Sequence, residues 1–307
     1  HAQSGENPEL RTLMYKLVTL ANAPVHTHFI FDGEDRPPIK RGKHVRSAPH
    51  WLTRSLQELL QIFGFTWTTA KGEAEADLAF LSKAGKISAV LTEDSDALLF
   101  GAAKVLCLTD NDDGTFLVDA YCAEALSNNP KIPLTTSHLL LWAMLRGGDY
   151  NPGGLLGCGS QVSHALLVGD LSDSLMRVMT SVAPAQLPGM LKTWRDHLCT
   201  VLVDGTLGRK YPALAASIPA DFPSVEIMHL YLHPVTTWSD GTNSSLLPQL
   251  NPTQPNIGRL AAFCKARLGW MQPKIHKYLR HHFWSTACMQ ALCQVGLLYL
   301  TVVSANS

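Results

Sequence analysis

Short apolar segments that alternate with helix-like segments restrict the fold of this chain more than any other feature. The apolar segments are HTHFIFDG (26–33), TWTTA (66–70), KISAVLTEDSD (86–96), AKVLCLTD (103–110) and TFLVDAYC (115–122). The helix-like segments are LRTLMYKLVTLAN (10–22), APHWLTRSLQELLQIFGF (48–65), GEAEADLAFLSKAG (72–85) and SHLLLWAMLRGGDY (137–150). Strands that alternate with helices favour a mainly parallel sheet with helices on both faces. We therefore predict a three-layer α/β domain for residues 1–150.

The pattern changes after Tyr150. Residues 151–284 contain helix-like segments joined by Pro- and Gly-rich connections, which predicts a helical region, and residues 234–255 within it are typical of an exposed linker. The tail, residues 285–307, is apolar, and its 17 residues from Ala287 to Val303 include no charge. That length is at the lower limit for a membrane span. Because Gln290 and Gln294 interrupt the run, we predict a packed or frayed tail and no membrane partner.

Composition excludes several classes of protein. Hydrophobic residues make up 46% of the chain, charged residues make up 16%, and the net charge is zero, as in an ordinary globular protein. The seven cysteines form no CxxC pair, which argues against a disulfide framework or a zinc site and favours a reduced compartment. No HExxH, Walker or Rossmann motif is present. The histidines, including His26 and His28 on one face of a predicted strand, are interpreted as packing or surface residues.

Acidic residues cluster where the predicted strands end. The acidic positions are Asp32 after the first strand, Glu73 and Glu75 at the start of the helix after the second, Asp94 and Asp96 after the third, and Asp149 in the sequence GGDY. Ligands of open α/β sheets bind outside the carboxyl ends of the strands. Six carboxylates facing one cleft would raise one another's pKa values unless a counter-ion were present. Mg²⁺ has oxygen ligands of this kind, and a pair of ions about 4 Å apart can cleave a phosphodiester.

Each acidic position also has a structural interpretation. A single Asp at a strand end usually belongs to a turn, and Glu in the first turn of a helix stabilises the helix dipole. Only the joint occurrence of these residues at successive strand ends favours a metal site over these separate explanations.

Three segments resemble the structure-specific 5′ nucleases, the superfamily that includes the flap endonucleases and the xeroderma pigmentosum group G proteins. GEAEADLAFLSKAGKISAVLTEDSDALLFGA resembles their internal region, FDGEDRPPIKRGK the end of their N-terminal region, and GGDYNPGGLLGCG the entry to their helix–two-turn–helix. YLHPV and FCKARLGW look most like the fungal Holliday-junction resolvase branch. The resemblance implies a PIN-like fold with a helix–two-turn–helix lobe, a nuclear location and a role in DNA repair and recombination.

The same resemblance implies roles for individual residues. Asp32, Glu73, Glu75, Asp94, Asp96 and Asp149 match the metal ligands of the superfamily, which implies two Mg²⁺ ions, for which Mn²⁺ can substitute. Lys40 matches a lysine that contacts the scissile phosphate, and Arg46 lies near a second such cation. The superfamily also has a preceding strand with another ligand Asp. Because the chain begins HAQSGENPEL, we expect residues upstream of His1, and as given the chain lacks that strand and that ligand.

The distribution of charge is consistent with DNA binding. Residues 36–54 contain six Lys or Arg and no acid, and the 67 residues from Gly241 onwards contain six Lys or Arg and no acid. Basic flanks suit a polyanion that is held through its backbone. The predicted DNA-binding residues are Arg41 and Lys43, with the glycines of the turn before the next helix, Gly153, Gly154, Gly157 and Gly159. Gln161 and Val162 stand where the superfamily commonly has Lys or Arg, which predicts weaker duplex binding.

The sequence thus predicts a Mg²⁺-dependent, structure-selective endonuclease that acts on branched or flap DNA, with a second copy of the chain as a possible partner on a four-way junction. Two other functions stay open at this point. One is a catalytically inactive DNA-binding relative that lacks the first-strand Asp. The other is RNA cleavage by a more distant PIN-like enzyme.

Overall fold

The structure is a computed structural model that describes residues 7–45, 50–110, 116–241, 253–294 and 300–305. The strands are β1 (Val25–Phe31), β2 (Ile39–Lys40), β3 (Lys43–His44), β4 (Thr66–Thr69), β5 (Ala89–Leu91), β6 (Lys104–Asp110), β7 (Phe116–Cys122) and β8 (Leu300–Ala305). The first helices are α1 (Pro8–Ala21), α2 (Thr53–Phe63), α3 (Ala74–Lys83), α4 (Asp96–Leu99), α5 (Ala123–Ser127), α6 (Thr136–Arg146) and α7 (Ser160–Leu167). The later helices are α8 (Leu171–Ser181), α9 (Leu187–Asp204), α10 (Pro212–Ser217), α11 (Val225–Leu232), α12 (Ile257–Leu268), α13 (Gln272–Tyr278), a π-helical turn (Leu279–Phe283) and α14 (Trp284–Gln294).

Six strands form one sheet in the order β4-β1-β8-β5-β6-β7, and every neighbouring pair is parallel except β6 and β7. Side chains of β1 alternate between two buried clusters because successive residues of a strand point to opposite faces. Phe29 and Phe31 pack with α1, α2, α12 and α13, whereas Ile30 packs with α3. The predicted three-layer, mostly parallel sheet is therefore confirmed.

A separate helical cluster contains α6 to α11 and is centred on buried residues such as Leu140, Leu198 and Tyr231. By contrast, α12 and α13 pack on the sheet through Leu260, Phe263 and other apolar residues, although they follow the helical cluster in sequence. Most of the chain between α6 and α12 therefore packs in the helical cluster and not on the sheet.

The apolar tail contributes α14 and then β8, which lies between β1 and β5 and is parallel to both. None of the helices within the described residues is long and apolar enough to cross a membrane. A strand with a parallel neighbour on each side satisfies its backbone hydrogen-bonding groups within the sheet. The uncharged composition of the tail matches that position, because central parallel strands are covered on both faces.

The first part of the predicted linker is packed rather than exposed. Thr237 donates its backbone N–H and its hydroxyl to the buried carboxylate of Asp77, at 2.9 and 2.6 Å. Trp238 is buried and stacks on Phe80 of α3 with 4.7 Å between ring centres. The prediction was wrong for this part. Pro, Gly and Ser content indicates local backbone preference, but it does not show that one aromatic residue anchors the segment to α3. Residues 242–252 of the linker lie outside the described residues.

A buried histidine makes the stability of this sheet depend on pH. His28 is 2% exposed, and its Nδ1 and Nε2 lie 2.7 and 3.0 Å from the hydroxyls of Thr66 and Thr68. Burial lowers the pKa of His28 from 6.5 to about 4. Between these two values the unfolded chain binds the proton and the folded protein does not, so stability is lost as the pH falls.

We predict that His28 contributes up to about 3 kcal/mol to the loss of unfolding free energy between pH 6.5 and pH 4. Chemical denaturation at several pH values would measure this loss for the wild type and for His28→Gln. Gln keeps hydrogen-bonding capacity toward the two threonines but does not titrate, so its loss over this range should be smaller. Equal losses in the two proteins would show that His28 does not cause the pH dependence.

Candidate metal and nucleic-acid site

The site lies at the carboxyl edge of the sheet, where Asp32 follows β1 and the loop after β4 leads into α3. Asp32 accepts a hydrogen bond from the backbone N–H of Ala74 at 2.9 Å and forms an ion pair with Arg36 at 3.0 Å. Glu73 is the N-cap residue of α3, and Glu75 lies in its first turn. Both glutamates are buried, with Glu73 6% and Glu75 5% exposed.

The turn after β5 is fixed by its own side chains. The hydroxyl of Thr92 accepts from the backbone N–H of Asp94 at 3.0 Å, and the carboxylate of Asp94 accepts from the N–H of Asp96 at 2.9 Å. Asp96 then begins α4. Such local bonds favour a turn over continued strand, which explains why the acids TEDSD follow the apolar strand directly.

A small hairpin brings positive charge into the acidic cluster. β2 and β3 pair antiparallel around Arg41 and Gly42, whose φ angles of 52° and 71° are those of a tight hairpin turn. The ammonium of Lys40 lies 2.9 Å from Glu73 Oε1 and 2.7 Å from Asp149 Oδ2. Arg41 donates from Nε to Asp149 Oδ1 and from its backbone N–H to the carbonyl of Asp149, both at 2.6 Å.

The segment GGDY after α6 packs too tightly for larger residues. A side chain at Gly148 would place its Cβ 2.4 Å from the hydroxyl oxygen of Tyr231, so the backbone approaches α11 directly. The ring of Tyr231 lies 4.7 Å from that of Tyr150, and the hydroxyl of Tyr150 donates to Glu73. Gly148 and the two tyrosines thus fix Asp149 and Glu73 relative to each other.

Six carboxylates interact electrostatically across this edge. Burial, with the nearby charges of Asp32 and Asp94, raises the pKa of Glu75 to about 7. Burial, with the charges of Asp94 and Asp149, raises the pKa of Asp96 to about 7.

The hairpin cations have the opposite effect on Asp149. Burial opposes its ionisation, but hydrogen bonds from Lys40 and Arg41 lower its pKa below the ordinary value. Burial likewise opposes the charge of Lys40, whereas Asp149 and Glu73 raise its pKa overall. The cluster therefore contains the ionised pair of Lys40 and Asp149. It also contains two acids, Glu75 and Asp96, that have too little positive charge nearby to keep their pKa values in the ordinary range.

The donor atoms fit a hard divalent cation, although they are not arranged around one. Within the described ranges of the chain, no three His, Cys, Asp or Glu side chains are placed to hold a metal ion. Lys40 and Arg41 lie among the oxygens instead. The buried Oδ2 of Asp149 has the Lys40 ion pair but no hydrogen bond of good geometry. Carboxylate oxygens, among them those of Glu75 and Asp96 with their raised pKa values, are the ligands that Mg²⁺ or Mn²⁺ prefers.

Comparison with known proteins finds a family model that is similar to this part of the chain. Residues 64–149 match the XPG I-region. Flap endonuclease GEN homolog 1 of Mus musculus is 30% identical over 182 residues, which cover 53% of this chain and 20% of the mouse protein. The chain thus spans about one fifth of the length of that relative.

Two solved structures of junction-resolving enzymes are similar to this structure over most of the chain. A structure of the eukaryotic junction-resolving enzyme GEN-1 with cesium has a TM-score of 0.74 and 28% identity, and the match covers 92% of this chain and 66% of that chain. A crystal structure of the Holliday junction-resolving enzyme GEN1 with product DNA, Mg²⁺ and Mn²⁺ has a TM-score of 0.72 and 26% identity. That match covers 95% of this chain and 68% of the GEN1 chain. The chain is therefore similar to the XPG-type nuclease superfamily in its I-region and in its overall fold. The expected PIN-like fold of this superfamily is thereby confirmed.

The XPG-type residues predicted from sequence are distributed around this edge. The structure brings together Lys40 and the six carboxylates Asp32, Glu73, Glu75, Asp94, Asp96 and Asp149, through contacts or through mutual effects on pKa. Arg41 joins them, while Lys43 is exposed on the other strand of the hairpin. Arg46 lies outside the described residues. The glycines Gly153, Gly154, Gly157 and Gly159 lie in the turn before α7, as predicted, and Gly159 is its N-cap residue.

Sequence reasoning missed the residues that orient the acids. Tyr150 and Tyr231 were not singled out, and neither was Thr92. The signal for Tyr150 was its position directly after Asp149 in a motif already identified. Tyr231 lies 81 positions further on in the YLHPV segment, and no local pattern relates it to Gly148.

We predict that Lys40→Met lowers the free energy of unfolding in the presence of EDTA by about 1–3 kcal/mol, because Glu73 and Asp149 lose their shared cation while remaining buried. Chemical denaturation would measure the change. Lys43→Met is the matched control, since Lys43 is on the same hairpin but exposed, and it should change stability by less than about 0.5 kcal/mol. Similar losses in both variants would mean that the ion pairs of Lys40 do not stabilise the fold.

Proposed function

We propose that this chain forms the nuclease core of a divalent-metal-dependent, structure-selective DNA endonuclease that acts in DNA repair or recombination. The supporting observation is the cluster of six carboxylates at the carboxyl edge of the sheet, whose ion-pair partners within the described part of the chain are the hairpin cations and Arg36. A half-buried cluster with surplus negative charge is stabilised by bound cations. The named XPG-type relatives are consistent with this chemistry, because a GEN1 structure contains Mg²⁺, Mn²⁺ and product DNA.

The residues that would hold two Mg²⁺ ions, or Mn²⁺ in their place, are Asp32, Glu73, Glu75, Asp94, Asp96 and Asp149. When bound, such ions supply an activated water and neutralise charge on a phosphodiester. The hydroxyl of Tyr150 keeps one oxygen of Glu73 hydrogen-bonded and so fixes the direction of the other. Bonds from Thr92 to Asp94 and from Asp94 to Asp96 hold the second acidic segment in one conformation.

Lys40 would exchange partners during the reaction. In the structure its ammonium lies between Glu73 and Asp149. With substrate bound, the same ammonium would turn toward the scissile phosphate and stabilise its developing charge. Arg46 is proposed for a similar role on the basis of the resemblance, and Arg41 and Lys43 would bind neighbouring phosphates from the exposed side of the hairpin.

The turn before α7 would bind the duplex backbone. No side chain caps the first turn of α7, so its backbone N–H groups remain available to an anion. Gly153 and Gly159 are exposed, and nothing lies within 4 Å of a Cβ built at either position. Phosphate contacts of this kind position DNA without reading its sequence. Branched or flap DNA in the nucleus is the proposed substrate, and two copies of the chain on a four-way junction would give paired nicks.

A catalytically inactive DNA-binding protein is the second candidate. The segment that forms β8, Leu300–Ala305, contains no acidic residue, although it lies between the strands that lead to Asp32 and Asp94. An XPG-type enzyme is expected to have a ligand Asp at the end of a strand, and β8 supplies none. Cleavage in Mg²⁺ compared with binding in Ca²⁺ distinguishes the two candidates.

We predict that Asp94→Asn lowers the rate of cleavage of flap and four-way-junction DNA in Mg²⁺ by at least about 100-fold, because it removes ligand charge from the cluster. Glu93→Gln is the matched control: it removes one negative charge from the same turn, but Glu93 is exposed, and its rate should stay within about twofold. Gel assays on labelled DNA would measure the rates, with binding in Ca²⁺ measured alongside.

Three outcomes would contradict the proposal in different ways. Binding of DNA without cleavage by the wild type would favour the inactive relative. Cleavage of RNA in preference to DNA would identify a more distant PIN-like ribonuclease. Equal rates for Asp94→Asn and the wild type would show that Asp94 is not a metal ligand.

We predict that Gly159→Asp weakens DNA binding several-fold without loss of stability. Gly159 has φ −70° and ψ 168°, which suits Asp as an N-cap, so the substitution should stabilise α7 slightly. Its carboxylate would occupy the N–H groups proposed to bind phosphate and would repel the backbone. Gly159→Asn, the neutral control, caps the helix equally well but should weaken binding less. Fluorescence anisotropy in Ca²⁺ would measure affinity, and equal affinities for the two variants would argue against a phosphate at this turn.

A further inference from the structure

The strand β7 lies at the outer edge of the six-stranded sheet, and among the described residues β6 is its only neighbouring strand. It runs for seven residues and pairs antiparallel with β6 along its whole length, from Phe116 opposite Asp110 to Cys122 opposite Lys104. An edge strand presents a row of backbone N–H and C=O groups that no neighbouring strand uses. The outer side of β7 is therefore a possible place for a further strand.

The hydrogen bonds of β6 show which backbone groups of β7 point outward. The carbonyl of Leu106 accepts from the backbone N–H of Thr92, which follows β5, at 3.0 Å, so the backbone groups of Leu106 face β5. Leu106 lies opposite Ala120, and in an antiparallel pair opposite residues both face each other or both face away. The N–H and C=O of Ala120, and those of Val118 two residues earlier, therefore point away from β6. Among the residues that the structure describes, none hydrogen-bonds to these outward groups.

The side chains of β7 are exposed on both faces of the sheet. Leu117 and Tyr121 on one face are 52% and 42% exposed, and Val118 on the other face is 55% exposed. Edge strands are usually protected from pairing by Lys, by Pro or by a bulge. β7 contains no Lys or Pro, and its register with β6 is continuous. An exposed apolar edge of this kind can add an extended peptide through main-chain hydrogen bonds.

The charge of this edge is negative. Asp119 is exposed in the middle of β7 and lies opposite Cys107. Burial and the charges of Asp119 and Glu93 raise the pKa of the Cys107 thiol, so both acids lie near this part of β6. Residues 105–130 contain no Lys or Arg and five acids, which are Asp110, Asp112, Asp113, Asp119 and Glu124. A partner with positive charge is therefore favoured.

The position of Asp119 also argues against a second copy of this chain as the partner. Asp119 is the middle residue of β7. Two copies of β7 paired antiparallel about their centres would place Asp119 opposite Asp119, and like charges directly opposite each other destabilise a strand pair.

We propose that β7 binds an extended peptide segment of another protein as a seventh strand of the sheet, with Lys or Arg of the peptide opposite Asp119 and β-branched residues on either side of it. The backbone of the peptide bonds to the outward groups of Val118 and Ala120. Its basic side chain lies on the same face as Asp119, between Leu117 and Tyr121. β6 separates β7 from β5, the strand that leads to Asp94, so this inference does not depend on the proposed nuclease function.

The experiment uses a capped, fluorescein-labelled peptide of sequence TVTVKVTVT, in which Val and Thr favour a strand and Lys is central. The matched control peptide has Glu in place of Lys. Fluorescence anisotropy would measure both affinities, and the wild type should bind the Lys peptide about fivefold more tightly. In the complex with the Lys peptide, hydrogen exchange measured by NMR should slow at the amides of Val118 and Ala120.

Ala120→Pro tests the backbone groups. The N–H that it removes points away from β6, and edge strands accept Pro at such positions, so the sheet should stay folded. Its affinity for the Lys peptide should fall at least about tenfold, because the peptide loses a hydrogen bond and meets the proline ring. Ala120→Ser keeps the N–H and should stay within about twofold of the wild type. Circular dichroism would check the fold of both variants.

Asp119→Lys tests the charge with the backbone intact. It should reverse the preference, so that the Glu peptide binds more tightly than the Lys peptide. An unchanged preference in Asp119→Lys would overturn the proposed pairing of the basic residue with Asp119.

Two further results would overturn the inference. If the wild type binds neither peptide and the amides of Val118 and Ala120 exchange as before, β7 does not accept a strand. If sedimentation shows that the wild type is a dimer and Ala120→Pro is a monomer, the partner of β7 is a second copy of the chain. Cleavage of DNA by Ala120→Pro should equal that of the wild type, so failure of this inference is distinguishable from failure of the proposed function.

Discussion

Repulsion among six carboxylates at one end of the sheet is the constraint on which the rest of the site depends. The chain offsets part of it with the hairpin cations Lys40 and Arg41, which lower the pKa of Asp149. The offset is incomplete, because Glu75 and Asp96 keep pKa values of about 7. A site in this condition gains more from added positive charge than it would if every acid were paired. The hairpin thus offsets only part of the negative charge of the cluster.

The hairpin and the end of α6 behave as one unit because backbone and side-chain bonds join them. Arg41 donates to both the carbonyl and the carboxylate of Asp149, and the tight turn at Arg41 and Gly42 restricts its direction. Asp149 is in turn fixed by the close packing of Gly148 on Tyr231. The contact between the hairpin and the segment after α6 therefore depends on one residue, Asp149.

Local patterns predicted the parts of the site that lie in continuous segments. The positions of Asp32, Asp94 and Asp96 follow from apolar strands that end in acids, and the parallel sheet then brings those ends to one edge. Contacts between distant segments were not predictable in this way. The hydrogen bond from Tyr150 to Glu73 spans 77 positions, and Thr237 reaches Asp77 across 160. Their side chains have ordinary local surroundings in the sequence, so only the folded chain reveals that they are partners.

The tail was the hardest segment to predict, because an uncharged run of Leu, Val and Thr is compatible with a strand, a buried helix or a frayed end. Its position between β1 and β5 affects the site directly. Ala305 pairs with Ile30 and Ser304 pairs with Leu91, so β8 ends beside the segments that lead to Asp32 and Asp94. A neutral strand end at that point adds no charge to a cluster already short of cations. The positive charge that this cluster does receive comes from Lys40, which pairs with Glu73 and Asp149, from Arg41, which pairs with Asp149, and from Arg36, which pairs with Asp32.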